Sequence, residues 1–263
     1  MNEDLVKFST RSEATESAVE ARVSTRTCNF DDLLEMLRND QHFAMSRWGD
    51  GEWNSVLDRR TRGVNTDGHE FSPEVGEELR RVLQKRPPYL LGLAAWERVF
   101  GSEVHDWLIA MNLHDLHWIS ANIWLGASVK GRLNDFIATL QARPTWIVIG
   151  PEHLARTQPK LGFAQQIVVP KNSFVSRADL LQQSLALASR LPQHSVITVS
   201  AGMTANLIVQ GLYEQFGDRH TIIDTGSLWD PYAGVFSRSY MREEEFKSKF
   251  GFDKWDADVE AGS

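Results

Sequence analysis

The sequence predicts an α/β protein, a single domain built on a mostly parallel sheet with helices on both faces. Three observations predict it. Seven short runs rich in β-branched or aromatic residues recur at 42–48, 89–95, 116–122, 145–150, 166–170, 195–200 and 220–226. Longer amphipathic stretches separate them, and strands that alternate with helices make a parallel sheet, because parallel strands need crossover connections. Of 263 residues, 42% are hydrophobic and 24% charged, the composition of a chain that buries a sizeable core.

Taken in order, residues 1–28 are polar and rich in Ser, Thr, Glu and Arg, and are expected to form a flexible arm. The domain proper runs over 29–250. Its first helix, 31–39, places Leu33, Leu34 and Leu37 on one face. HFAMSRW is the first strand. A helix over 74–86 leads to YLLGLAA, one over 101–112 to LHWISAN, and one over 129–142 to TWIVIG. QIVVP follows, then a helix over 177–190 with Leu180, Leu181, Leu185 and Ala188 on one face and Ser176 as its N-cap. SVITVS, a helix over 203–217 and HTIIDTG complete a Rossmann-like alternation. Residues 251–263, GFDKWDADVEAGS, form an acidic tail. There is no internal repeat and no low-complexity tract.

Charge and cysteine content remove several function classes. With 28 basic and 35 acidic residues the net charge is −7, which argues against a general nucleic-acid coat and leaves room for a local basic groove. Cys28 is the only cysteine, so an intrachain disulfide and a thiolate zinc site are both excluded. No run of 18 apolar residues offers a membrane span, and the N-terminus lacks the apolar core of a signal peptide. The expectation is a soluble, cytoplasmic protein of a reducing compartment.

In parallel sheets ligands bind at the carboxyl ends of the strands, so the loops after the strands carry the chemistry. The first strand ends in RWGDGEWNSVL. Gly49 and Gly51 bracket Asp50, and Glu52 follows. Two carboxylates at i and i+2 on a tight turn suit a hard cation, Mg²⁺ or Mn²⁺, that bridges to a diphosphate, with Arg47 as a bidentate phosphate contact. The plain alternative is a turn in which Asp50 caps a helix starting near Trp53. A dinucleotide fingerprint would need glycine where Asn54 stands, and bare carboxylates would repel a pyrophosphate, which excludes a nicotinamide oxidoreductase.

After 195–200, Ser200, Gly202 and Thr204 precede a long helix whose first N–H groups make an anion site, with the Thr204 hydroxyl expected on a phosphate; the alternative is a helix cap without a ligand. A hydrolase nucleophile elbow at Ser200 is set aside, because Thr198 stands where glycine is required and the last histidine is His220. After 220–226, Asp224 suits a ribose or sugar hydroxyl and Asp230 a base or a second metal contact, unless both serve turn chemistry. Lys171 and Asn172 follow 166–170, where a lysine meets a phosphate or simply solvates a loop. HDLH at 114–117 lacks a third metal ligand, most of the nine tryptophans are core, and RRTR at 59–62 and the arginines around 80–86 are solvated faces.

Together these loops resemble a known family. AMSRWGDGEWN resembles the R-[FW]-G-D-G-E signature of the GT-D-type glycosyltransferases, first catalogued as a bacterial domain of unknown function. VVPKNSFVSRADLL resembles the family's P-x-x-N-A-F segment at Pro170, at Asn172 or Ser173, and at Phe174. The stretch from Thr198 to Tyr232 resembles the L-G-P-T-A … I-D-I-G-H-x-D-x-E-Y block at Gly202, Thr204, Ala205, Asp224, Gly226 and Asp230. The likeness spans 42–240. It departs at Ser200-Ala201, at Met203 in place of proline, at Ser227 in place of histidine and at Pro231-Tyr232 in place of Glu-Tyr.

The resemblance implies a metal-dependent glycosyltransferase using a nucleotide diphosphate sugar, a UDP-sugar first among them. Asp50 and Glu52 are implied to hold Mn²⁺ or Mg²⁺, and Arg47, Gly49 and Gly51 to shape the donor loop. The donor contacts are Lys171, Asn172, Ser200, Gly202, Thr204 and Asp224. With the family's histidine replaced by Ser227 and no histidine after His220, Asp230 is the expected acceptor-side base. Acceptors in view are a surface glycan, a glycoprotein or, against the charge, a modified DNA base. The alternative is a non-catalytic nucleotide-sugar-binding module on the same scaffold.

Overall fold

A computed structural model describes residues 28–65, 68–94 and 97–243. Most of the expected arm and all of the acidic tail lie outside them. All seven expected strands are present: β1 (Ala44–Trp48), β2 (Leu90–Leu93), β3 (Trp118–Ser120), β4 (Trp146–Pro151), β5 (Gln165–Val169), β6 (Val196–Val199) and β7 (Thr221–Asp224). They form one parallel sheet in the order β3-β2-β1-β7-β6-β4-β5. The chain builds outward from β1 to β3 and then crosses to the other half. The switch in strand order therefore falls between β1 and β7, where such sheets open a crevice at their carboxyl ends.

The helices are α1 (Phe30–Arg38), α2 (Asp50–Val56), α3 (Pro73–Gln84), α4 (Glu97–Phe100), α5 (Glu103–Ala110), α6 (Ile123–Val129), α7 (Leu133–Gln141), α8 (Gln158–Leu161), α9 (Arg177–Ala188) and α10 (Ala205–Phe216). Alternation along each strand divides the core in two. On β4, Ile147 and Ile149 join the core packed by α2, α3, α5, α9 and α10, whereas Trp146 and Val148 join the one packed by α1, α6 and α7. Trp48, Trp53, Trp118, Trp146 and Trp229 are all buried.

Three expectations are corrected. α2 begins at Asp50 itself, not near Trp53, since Gly49 already takes the extended N-cap conformation. The helix expected over 129–142 starts later, as α7 at Leu133, because Gly131 with a φ of +68° separates it from α6, a helix that was not expected over Ile123–Val129. The N-cap Ser176 makes no side-chain capping bond to α9. The HDLH segment is a turn, and no group of three His, Cys, Asp or Glu suited to a metal occurs among the described residues. No described helix is long and apolar enough to cross a membrane.

Candidate functional site

The loop after β1 is folded by its own sequence. Gly49 donates its N–H to Glu52 Oε2 at 2.9 Å, the one-way half of a capping box, which turns the Glu52 carboxylate back toward the strand ends. Across the crevice, Asp224 closes β7 with both oxygens engaged by backbone. Its Oδ2 accepts from the Arg47 N–H and its Oδ1 from the Gly226 N–H, each at 2.9 Å. That ties the end of β1 to the end of β7. Gly226 has a φ of +52°, and a side chain there would collide with the Arg47 guanidinium, so the glycine is what lets Arg47 lie across the loop. The guanidinium takes no hydrogen-bond partner among the described residues, and its Nε is buried.

Burial sets the charges here. Glu52 is pushed up to about 7, by desolvation first and then by repulsion from Asp224 and Asp50, against the pull of the Gly49 N–H. Asp224, only 4% exposed, is pushed up to about 6 by desolvation, with Arg47 pulling the other way. Asp50 is exposed at the first position of α2. The donor set of Asp50 and Glu52 is hard oxygen from two carboxylates. It fits a cation of the Mg²⁺ type, which completes its shell with substrate phosphates rather than with a protein cage.

A second group forms where the loops after β5 and β6 meet. Gly202 has a φ of +54°, and the His69 ring occupies the space a side chain would need. Ser173 Oγ lies 2.8 Å from Thr204 Oγ1, 3.0 Å from the Ala201 carbonyl and 3.4 Å from His69 Nδ1. Thr204 is completely buried, so its hydroxyl faces this interior cluster and not the crevice where a phosphate was expected. Asn172, with a φ of +52°, accepts the Glu70 N–H at 3.1 Å and pins one loop to the other, while Lys171 is exposed. Ser200 Oγ pairs with Thr225 Oγ1 at 3.1 Å.

Asp230 stands apart from the carboxylates of α2. Its loop packs on the core of the opposite sheet face, through Leu228, Trp229 and Tyr232. Its Oδ1 accepts from His153 Nε2 at 2.9 Å and its Oδ2 from Ser237 Oγ at 2.5 Å. It occupies the N-cap position of a 3₁₀ turn, Pro231–Ala233, without a side-chain capping bond. The sequence reading missed His153 and His69. His153 carried a usable signal, since it lies two residues past the end of β4, where chemistry was to be sought. His69 carried none, because a loop brings it to Gly202.

No protein-family profile and no curated protein sequence matches the chain. Solved structures do. One, described as the highly conserved domain of unknown function 1792 with a distinct glycosyltransferase fold, aligns with a TM-score of 0.57 and 15% identity over 83% of this chain and 84% of that one. A selenomethionine-substituted structure of domain of unknown function 1792 aligns at 0.56 and 15% identity over 81% and 82%. The fold of this chain is therefore that of the 1792 domains, a glycosyltransferase fold.

Proposed function

We propose that the protein is a metal-dependent glycosyltransferase that moves a sugar from a nucleotide diphosphate sugar, a UDP-sugar first, to an acceptor hydroxyl. The observation that carries this reading is the Arg47 guanidinium, which takes no hydrogen-bond partner among the described residues and lies against the Gly226 turn at the β1–β7 switch, with Asp50 and Glu52 on the loop that follows β1. An arginine always charged and unspent suits two oxygens of a diphosphate. Asp50 and Glu52 would hold Mn²⁺ or Mg²⁺, which when bound supplies positive charge against the departing diphosphate. Asp224 serves as the strap that fixes Arg47, since both its oxygens bind backbone. The Gly202 turn, at the end of β6 beside β7, remains a donor-side contact, and Lys171 stands farther off, after the edge strand β5. Incubation with a panel of UDP-, GDP- and TDP-sugars with and without Mn²⁺ tests the reading. The expected result is Mn²⁺-dependent release of one nucleoside diphosphate. Saturable donor binding without release would assign a binding module instead, and neither binding nor release would refute both.

A further inference from the structure

Asp230 is badly placed to take a proton from an acceptor. It is 7% exposed, and both its oxygens already accept hydrogen bonds, from His153 and from Ser237. A carboxylate only accepts, so the proton of the His153–Asp230 bond belongs to His153 Nε2. A neutral imidazole carries a single N–H, which leaves the lone pair on Nδ1. The His153 side chain is 24% exposed, and its Nδ1 is neither buried nor partnered among the described residues. The pair therefore offers one open basic atom, and it lies on the histidine.

The histidine lies at the carboxyl end of the sheet, two strands along from β7. His153 sits in the 3₁₀ turn Glu152–Thr157 directly after β4. β6 lies between β4 and β7, and its end is knitted to both: the Ser200 N–H bonds the Ile149 carbonyl at 2.7 Å, and Ser200 Oγ meets Thr225. The histidine and Asp230 thus bridge over the end of β6. Leu154, next to His153, packs in the same core as Trp229 and Tyr232, opposite the core that holds Trp53 of α2. Leu154 beside His153 and Trp53 of α2 thus pack on opposite faces of the sheet, while the turn that carries His153 and the loop that carries Asp50 and Glu52 both follow the carboxyl ends of their strands.

We propose that His153 is the catalytic base of the transferase and that Asp230 is its positioning residue; this rests on the transferase reading above. The acceptor O–H proton passes to His153 Nδ1. The oxygen pair it leaves forms the bond to the anomeric carbon. The bond from that carbon to the phosphate oxygen breaks, and its electron pair leaves on the nucleoside diphosphate, with inversion at the carbon. The imidazolium formed is paired with the Asp230 carboxylate, which stays ionised.

Three measurements on the full chain test this: turnover of the UDP-, GDP- and TDP-sugar panel with Mn²⁺, donor affinity by calorimetry, and ¹⁵N NMR of the His153 ring, assigned by difference with His153→Gln. His153→Gln should lower kcat by about 10²–10⁴-fold while donor affinity holds. Asp230→Asn should lower kcat with KM unchanged and alter the His153 nitrogen shifts, which in the wild type report the proton on Nε2. Turnover by His153→Gln within about threefold of wild type overturns the assignment, as does a wild-type ring protonated on Nδ1 alone. Those outcomes leave the transferase reading standing. A wild type that neither binds nor turns over any donor refutes that reading and this inference together.

Discussion

Replacing Glu52 with Gln should make the metal-free protein more stable at alkaline pH while it destroys activity. The native carboxyl titrates at about 7 against an ordinary 4.5, chiefly because burial disfavours its charged form. A folded-state value above the unfolded one means the native state binds the extra proton. The stability linked to Glu52 is therefore whole below 4.5 and is lost as pH rises through 7. At about 1.4 kcal/mol per pH unit, that interval amounts to about 3 kcal/mol lost by pH 8. Glutamine keeps an oxygen for the Gly49 N–H and carries no charge, so the variant avoids the loss. Urea unfolding at pH 4 and pH 8 in EDTA measures it. The stability of Glu52→Gln minus that of wild type should grow by about 3 kcal/mol between the two pH values. Mn²⁺ should then raise the wild-type midpoint at pH 8 and leave the variant unmoved. A stability difference that stays flat with pH would refute the burial argument, and a variant that retains transfer would refute the cation assignment.

Asp50→Asn should abolish transfer in Mn²⁺ while changing stability by less than about 1 kcal/mol, because Asp50 is an exposed first-turn residue; retained turnover would remove it from the cation site. Thr204→Val should cost about 1 kcal/mol of unfolding free energy through the lost bond to Ser173, with the donor KM unchanged; a raised KM at full stability would put the hydroxyl back on the donor. His42 Nε2 lies 2.9 Å from His194 Nδ1, and burial first, then the His194 charge, depresses the His42 pKa below 6.5. The native state thus favours neutral His42, and the linked stability is whole above 6.5 and lost as pH falls through that value. His42→Gln should flatten this acid limb in urea midpoints taken at pH 5 and pH 7.5, and an unchanged limb would assign it to other groups.

The sequence by itself determined the class of fold and the addresses of its loops. Short continuous β-branched and apolar runs such as TWIVIG and SVITVS suit strands covered on both faces, as in a parallel sheet with helices on each side, so the strands were legible one by one. The carboxyl-end rule then pointed to Arg47, Asp50, Glu52 and Asp224, and the structure sets the loops that carry them side by side across the β1–β7 switch. The family likeness read from the same loops points to the fold that the solved structures share. Strand order was not legible, because no local pattern states that β7 pairs with β1, 177 residues away from Arg47 to Asp224. Side-chain direction was hidden for the same reason. Thr204 at a helix start reads as a phosphate ligand until Ser173, from another loop, claims its hydroxyl. Asp230 reads as a base until His153 arrives from β4, three strands along from β1, and takes one of its oxygens. Periodicity is local and survives in the sequence, whereas the partner of a polar atom is set by which strand ends the sheet brings together.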